Sequence, residues 1–565
     1  MKTKFLKFVS LISTLIILLF WTNTCDITDP RDDFKVIFNL DPIETVISGT
    51  IVNAATGEPI NTASITVSIE GENKNDIVDL TAKPKTSFTT NEGFVCFALQ
   101  ESVSPTENNP ANIIVTAKAD GYISNFIPVD IMESGSASFI LPLAVKDNLP
   151  AGVCVSRKDF QTDNNGATVS STEITSVETE TNVSASITIP EGIKFIDNNG
   201  NILTGNLTGE ITYYSPKLEE ALSCFPGGFN VYTNTNGLRE QSTFITAGVA
   251  EINIKDAAGK EANTFQVIES LNKKTNNDTT EPLIVIEIPS ETYNPETNDY
   301  VKEGDEIDLW SMQSESVEWD WENRVSVQYN SSTGKLYVEF QPEHFSSWNF
   351  DWKGTFCDIG GTIKFTGFEF PYPLKVVLIG NGGQFRRELR FSDGVITFYN
   401  PPNFPVTVLV YDGNTNELLG QKEIDDLCYF GEIYWDLTIN PPSPPIELII
   451  YAEGWCTCDT NLVIRPSGNP IWYRNLTLSE PLWIVAGSLE NGRVTIPTIF
   501  LGHSYAYGTW YQGRWYQISA TVYEDRAEIN GNLTTSNILE VYFKEGNVLY
   551  FKMELSDEIC NNLCD

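Results

Sequence analysis

Apolar and polar residues alternate with a period of two along most of the chain, the spacing that sends successive side chains to opposite faces of a strand. Ile65, Val67 and Ile69 share one face of such a segment. Val317, Trp319 and Trp321 alternate with Glu318, Asp320 and Glu322, and Trp348, Phe350 and Trp352 with Ser347, Asn349 and Asp351. These tryptophans suit a sandwich core better than a ligand platform. Helical periodicity is nearly absent; Leu218 to Leu222 suffices for one turn. Clusters of Gly, Asn, Asp and Pro punctuate the alternation. The expected fold class is all-β, as tandem β-sandwich modules.

One stretch breaks the pattern. Phe8 to Trp21 reads FVSLISTLIILLFW, fourteen residues with only Ser10, Ser13 and Thr14 polar, behind Lys2, Lys4 and Lys7. It falls short of the roughly 20 apolar residues of a spanning helix and suits the apolar core of a secretory leader. Residues 1–24 are therefore expected to be a signal peptide. The Thr22 to Cys25 stretch, TNTC, resembles a loose lipobox. The acids after it, Asp26, Asp29, Asp32 and Asp33, resemble the surface-export signal of Bacteroidetes lipoproteins. The resemblance implies that Cys25 is acylated and ties the chain to the outer membrane or cell surface without a spanning helix. Two or three acyl chains anchor stably where one does not.

The rest divides into an acidic linker over 25–45, β modules over 46–146, 147–353 and 354–440, a Pro-rich linker over 441–445 and an aromatic-rich β module over 446–565. In the first module, Gly49, Gly57, Pro59, Ala63, Gly93, Phe94, Gly121 and Tyr122 fall on the pattern of the carboxypeptidase-regulatory-like domain, which the module resembles. That resemblance implies a transthyretin-like sandwich serving as a rigid spacer or binding accessory without catalysis. Ser392 to Pro401 echoes a turn of the same module, so 354–440 reads as a divergent sandwich of that type. The 147–353 unit resembles, more weakly, the β domain shared by netrin receptors, tight-junction scaffolds and ankyrins. The carrying residues are Ile187 to Gly192 and His344 to Trp348.

Charge and cysteine usage narrow the partners. Acids number 75 against 36 basic residues, a formal charge of −39. Such a chain repels nucleic acid, which is excluded as a partner. Two histidines, His344 and His503, are too few for a His-based zinc site and lie far apart for a Ser-His-Asp triad. Of ten cysteines, Cys25 is assigned to lipid, which leaves an odd number in an oxidising compartment. Spacing pairs Cys357 with Cys428, sets Cys456 and Cys458 against Cys560 and Cys564, and allows Cys154 with Cys224. Cys96, within Phe94-Val95-Cys96-Phe97, reads as a buried thiol.

Three constellations carry candidate chemistry. His344-Phe345-Ser346 matches a tripeptide at which some netrin-receptor-like relatives cleave themselves, which implies Ser346 as nucleophile, Phe345 as acyl side and His344 as proton-transfer helper. The plainer reading is a packed strand end. Tyr505 to Tyr516 reads as a hairpin turning at Gln512-Gly513, with more aromatics than one face can bury. Tyr507, Trp510, Tyr511 and Trp515 are candidates for sugar stacking with Arg514 as a polar clamp; a cross-strand aromatic ladder in the core is the commoner use. Asp163 to Gly166 and Asp197 to Gly200 resemble half of a calcium loop but lack the distal bidentate acid, so no cofactor is expected beyond a minor allowance for Ca2+ there. The function that follows is a non-enzymatic surface lipoprotein, a β-sandwich stalk presenting an adhesive or glycan-binding module, its partners the outer membrane and an extracellular glycan or protein. The alternative is a surface protein that cleaves itself at Phe345-Ser346.

Overall fold

Alternation becomes strand wherever an apolar face finds a second sheet, and here it does so four times. The computed structural model describes residues 36–39 and 43–560 apart from 107–108, 269–279, 313–317, 358, 368–371, 392–393, 414, 438–444, 457, 459–461, 479–482, 512–513, 530–537, 545–546 and 555–559. At 36–39, 381, 511, 514, 538–544 and 553–554 it describes backbone alone. The chain is nearly all β, with a single α-helical turn at Glu219–Ser223.

The first unit packs one four-stranded sheet, ordered Ile77–Val78, Phe94–Leu99, Thr45–Asn53, Gly135–Leu143, on another, ordered Ser87–Thr90, Ile65–Glu70, Ala111–Ala119, Asn125–Ile131. Its opening strand pairs antiparallel with Phe94–Leu99 and parallel with the closing strand Gly135–Leu143. The third unit repeats this plan. Ile359–Thr366 lies between antiparallel Val395–Tyr399 and parallel Glu432–Asp436, over a sheet ordered Phe385–Phe391, Leu374–Gly380, Val406–Asp412, Leu418–Ile424. The last unit repeats it again, with Ile446–Trp455 between antiparallel Arg493–Ile499 and parallel Val548–Glu554. A glycine in the left-handed region opens the antiparallel neighbour strand in each case: Gly93, Gly394 and Gly492 have φ between 75° and 78°, a conformation only Gly adopts freely.

The second unit is larger. A seven-stranded sheet, which includes the 19-residue strand Leu238–Asp256, faces a five-stranded one. Trp348, Phe350 and Trp352 enter its core as the alternation predicts. Asn349 and Asp351, on the opposite face, are also fully buried. The reason is that the seven-stranded sheet is covered on both sides: by its own partner sheet, and by a second apolar cluster drawn from all four units. That cluster joins Ile123 and Phe126 of the first unit to Phe229 and Trp319 of the second, Ile363 and Phe398 of the third and Phe500 of the last.

A polar junction fastens the first three units. Asp130 accepts from Tyr232 Oη at 2.9 Å, from Gln241 Nε2, and from Asn400 Nδ2 at 3.3 Å. Arg387 donates to the carbonyls of Tyr399 and Asn400 at 2.8 and 3.0 Å. Asp130, Asn400 and Arg387 are thereby all partnered, as buried polar groups require.

The first and last units meet directly. The outward face of the first unit's opening sheet (Val46, Phe94, Cys96) packs on Trp472, Trp483 and Trp510. Phe94 stacks on Trp515 with centroids 3.9 Å apart and planes at 10°. Arg474 Nη1 pairs with Glu58 at 2.8 Å across the same seam. Strand Val36–Asn39 runs parallel beside Leu462–Arg465 and so forms the outer strand of the last unit's sheet. The expected extended stalk is thereby corrected: the chain folds back on itself, because both faces of several sheets are apolar enough to require cover.

Candidate functional site

His344-Phe345-Ser346 leads into strand Ser347–Gly354. Phe345 is buried against Phe195 and Phe265, and its amide donates to Asn263 O at 2.9 Å. His344 stacks on Trp348 at 4.9 Å. Its Nε2 lies 3.2 Å from Ser311 Oγ and 3.5 Å from Glu322 Oε1. The hydrogen bond from His344, helped by one from Ser311, holds Glu322 below the usual carboxylate range against the effect of burial. Ser346 Oγ instead donates to Ser347 O at 3.2 Å. The ring and the hydroxyl therefore serve different partners, and base and nucleophile do not meet. Sequence reading missed Ser311 and Glu322, whose chain separation from His344 hides the cluster. Ser311 is 1% exposed, so a substrate does not reach it.

The aromatic hairpin is real, with Trp510 opposite Trp515 and Tyr507 opposite Ile518. Its rings are not laid out for stacking. Tyr507 is 3% exposed in the sandwich core, beside a cavity of about 40 Å³, on the scale of water and not of a sugar ring. Trp510 is buried and Trp515 partly buried against the first unit. The excess of aromatics that one face cannot bury is buried on two. Gly508 makes this fit possible, since a Cβ there would lie 2.0 Å from the Trp515 ring. The sugar-platform expectation is corrected for Tyr507, Trp510 and Trp515. The side chains of Tyr511 and Arg514 lie outside the described residues, as does Cys25.

The calcium-like turns are closed by their own backbone. Asp163 Oδ1 accepts from the amides of Asn165 and Ala167 at 2.8 and 2.9 Å, and Asp197 Oδ1 from those of Asn199 and Asn201 at 2.9 and 2.7 Å. The Ala167 amide chiefly lowers the Asp163 pKa, and the Asn201 side chain that of Asp197. Both acids act as turn-closing acceptors.

Cys357–Cys428 and Cys456–Cys560 are disulfides. Cys458 lies with the second pair, and the two bonded sulfurs leave no thiolate set for a metal. The Cys154–Cys224 pairing is corrected: both thiols are free. Cys154 sits opposite Tyr213 in its sheet, whereas Cys224 packs with Tyr214 in the cluster on the other face. Cys96 is buried, and burial pushes its thiol far up.

An exposed aromatic face does exist, in the third unit. Tyr434 is 67% exposed and Tyr429 82%. Strands Val395–Tyr399, Ile359–Thr366 and Glu432–Asp436 turn one face outward, with Val395, Lys364 and Tyr434 in one row and Thr397, Thr362 and Glu432 in the next. Lys364 Nζ pairs with Glu432 at 2.6 Å and lies 5.6 Å from the Tyr434 centroid. Thr362 and Thr397 share a hydrogen bond at 3.0 Å. The signal was present as Glu432-Ile-Tyr434-Trp-Asp436, an alternation whose polar face carries an aromatic ring.

No protein-family model matches the chain, and no curated protein matches it. Among solved structures, it is similar to a streptococcal ancillary pilin at 10% identity over 45% of this chain and 93% of that one, TM-score 0.12. It is also similar to the major pilin subunit BcpA of Bacillus cereus, at 10% over 70% and 99%, TM-score 0.12. The full-length major pilin SpaD of Corynebacterium diphtheriae gives 10% over 91% and 98%, TM-score 0.14. Likeness at this level carries no functional argument. Among the described residues, no helix is long and apolar enough to cross a membrane.

Proposed function

We propose that the chain is a lipid-anchored protein of the outer membrane or cell surface that acts by binding, as a folded-back adhesive β scaffold. The observation that carries this reading is the seat of Val36–Asn39 in the last unit's sheet. Val36 follows Cys25 by eleven residues. A tether of that length spans at most about 40 Å. An acylated Cys25 would therefore hold the first and last units together beside the bilayer and leave the remaining faces to meet ligands.

Protease shaving of intact cells followed by mass spectrometry tests it. The expected result is release of peptides from these units without lysis, and an N-terminal peptide that begins at Cys25 with the added mass of acyl chains. Recovery of the chain only after lysis, with the leader still attached, would overturn the proposal. Self-cleavage at Phe345-Ser346 is not favoured by the divergent partners of His344 and Ser346, and a single full-length band on a denaturing gel, unchanged in Ser346→Ala, is expected.

A further inference from the structure

We propose that the outward face of the third unit's three-stranded sheet binds a neutral oligosaccharide, a site that rests on the ligand-binding reading above and gives it a location. The first argument is presentation on a fixed frame. Tyr429 directly follows the Cys357–Cys428 bridge. Phe430, next in the chain, packs on Phe398 at 6.2 Å, and Gly431 O accepts from Thr362 N at 2.7 Å. Tyr429 is held between these pins yet turned to water. Tyr434 stands on the strand that follows, paired in register with Lys364. Single exposed apolar residues are ordinary; Tyr434 is the ring this sheet face presents, in register with Lys364, and Tyr429 is exposed in the turn that leads into the same strand.

The second argument is chemistry. Val395, the Lys364 stem and Tyr434 make an apolar strip across the three strands, and Val395 is 40% exposed. Thr362, Thr397, Thr366, Glu432 and Asp436 surround that strip with hydroxyls and carboxylates. A sugar ring has the matching character: CH groups that lie on an aromatic face, and a rim of hydroxyls that donate to carboxylate and hydroxyl oxygens. Strand spacing of about 4.8 Å and same-face spacing of about 6.7 Å give a patch of roughly 10 by 13 Å, the size of two sugar rings.

The third argument is charge. Lys364 is neutralised by Glu432, which leaves Asp436 on a chain of net charge −39. Uronic, sialylated or sulfated sugars are repelled by that field. The fourth is internal. The topologically equivalent face of the first unit already receives flat rings, with Phe94, the counterpart of Val395, stacked on Trp515.

The test is affinity gel electrophoresis of the full mature chain, purified in a detergent that carries no sugar, through gels holding soluble β-glucan, mannan or xylan, with polygalacturonate as the anionic probe. The expected result is retardation by at least one neutral polysaccharide and none by polygalacturonate. Tyr434→Ala is expected to weaken binding about tenfold, some 1.4 kcal/mol, and Tyr429→Ala several-fold, with melting temperatures unchanged. Tyr300→Ala, another exposed tyrosine at 54%, is expected to bind as wild type. No retardation by any neutral polysaccharide, retardation by polygalacturonate, or full affinity in Tyr434→Ala and Tyr429→Ala would each overturn the site. So would self-association of the chain that Tyr434→Ala abolishes, which would make a second copy the occupant. Surface exposure in the shaving experiment does not depend on any of these outcomes.

Discussion

The first and third units share one strand plan but use the same sheet face in opposite ways. In the first unit the face carries Phe94 and Cys96 beside Val46 and Ser48, all buried, and the last unit's tryptophans cover it. In the third, the register places Val395 and Thr397 where the first has Phe94 and Cys96, and Lys364 and Thr362 where it has Thr50 and Ser48. This face stays in water. A handful of substitutions on a common frame thus converts an internal joint into an open surface. Topology fixes where side chains point, and residue chemistry decides whether the face is glued or presented.

The largest test of the contrast is truncation at the joint. Phe94→Ala removes a ring that is 3% exposed and stacked on Trp515. Loss of a buried Phe costs about 3–5 kcal/mol, to be read as a lower denaturation midpoint by fluorescence of the joint tryptophans. Val395→Ala at the equivalent position is expected to stay within about 0.5 kcal/mol, as exposed substitutions do. Equal losses would remove the distinction between the faces.

Removing the frame of the open face comes next. Cys357→Ser with Cys428→Ser deletes a bridge closing a separation of 71 residues, and loss of such a bridge costs about 2–4 kcal/mol. The third unit is expected to melt earlier by calorimetry and to lose whatever binding Tyr429 supports.

Gly508→Ala should loosen the joint by a smaller amount, because Trp515 must shift to admit the methyl group. Faster tryptic cutting within the first and last units, with the third unit unaffected, would register it.

Asp351 sharpens the comparison from the second unit. It is fully buried, Asn349 Nδ2 and Thr246 attend it, and its Oδ1 has no partner. Burial pushes its pKa well above the usual carboxylate value. Below the unfolded-state pKa of about 3.9 both states hold the proton and nothing is lost. As pH rises past that value the unfolded chain releases its proton while the fold keeps it, so stability falls. Asp351→Asn is expected to melt above wild type at pH 7 and level with it at pH 3. An unchanged or lower melting temperature at pH 7 would show the carboxyl to be paired in solution.

Much of this was legible in the chain. Alternation at Ile65-Val67-Ile69 and Trp348-Phe350-Trp352 announced strands; the bracketing of a module by Cys357 and Cys428 announced that disulfide, while the spacing of Cys456, Cys458, Cys560 and Cys564 left the partner of Cys456 open. Periodicity states which residues share a face and not what covers it. For that reason the joint was invisible: Phe94 to Leu99 is buried on both faces, yet its second partner lies in the last unit, hundreds of residues away. The same gap misplaced the aromatic platform. The densest ring cluster, Tyr505 to Tyr516, offers a sugar platform and a core ladder alike on periodicity alone, and density is what a two-sided interface requires. The exposed rings at Tyr429 and Tyr434 are sparse and carried by a polar alternation. Cys154 and Cys224 failed as a pair because spacing along the chain does not report which side of a sheet a thiol occupies.

Thiol labelling compares the two faces most directly. The chain is treated with a maleimide under native conditions, with the rate at each cysteine read by mass spectrometry, in wild type and in Thr397→Cys, the counterpart of Cys96. The expected result is modification of the introduced thiol within minutes, while Cys96 stays unlabelled until denaturant is added. Labelling of Cys96 at the rate of the introduced thiol would mean that the first unit does not dock on the last, and the folded-back body would have to be abandoned.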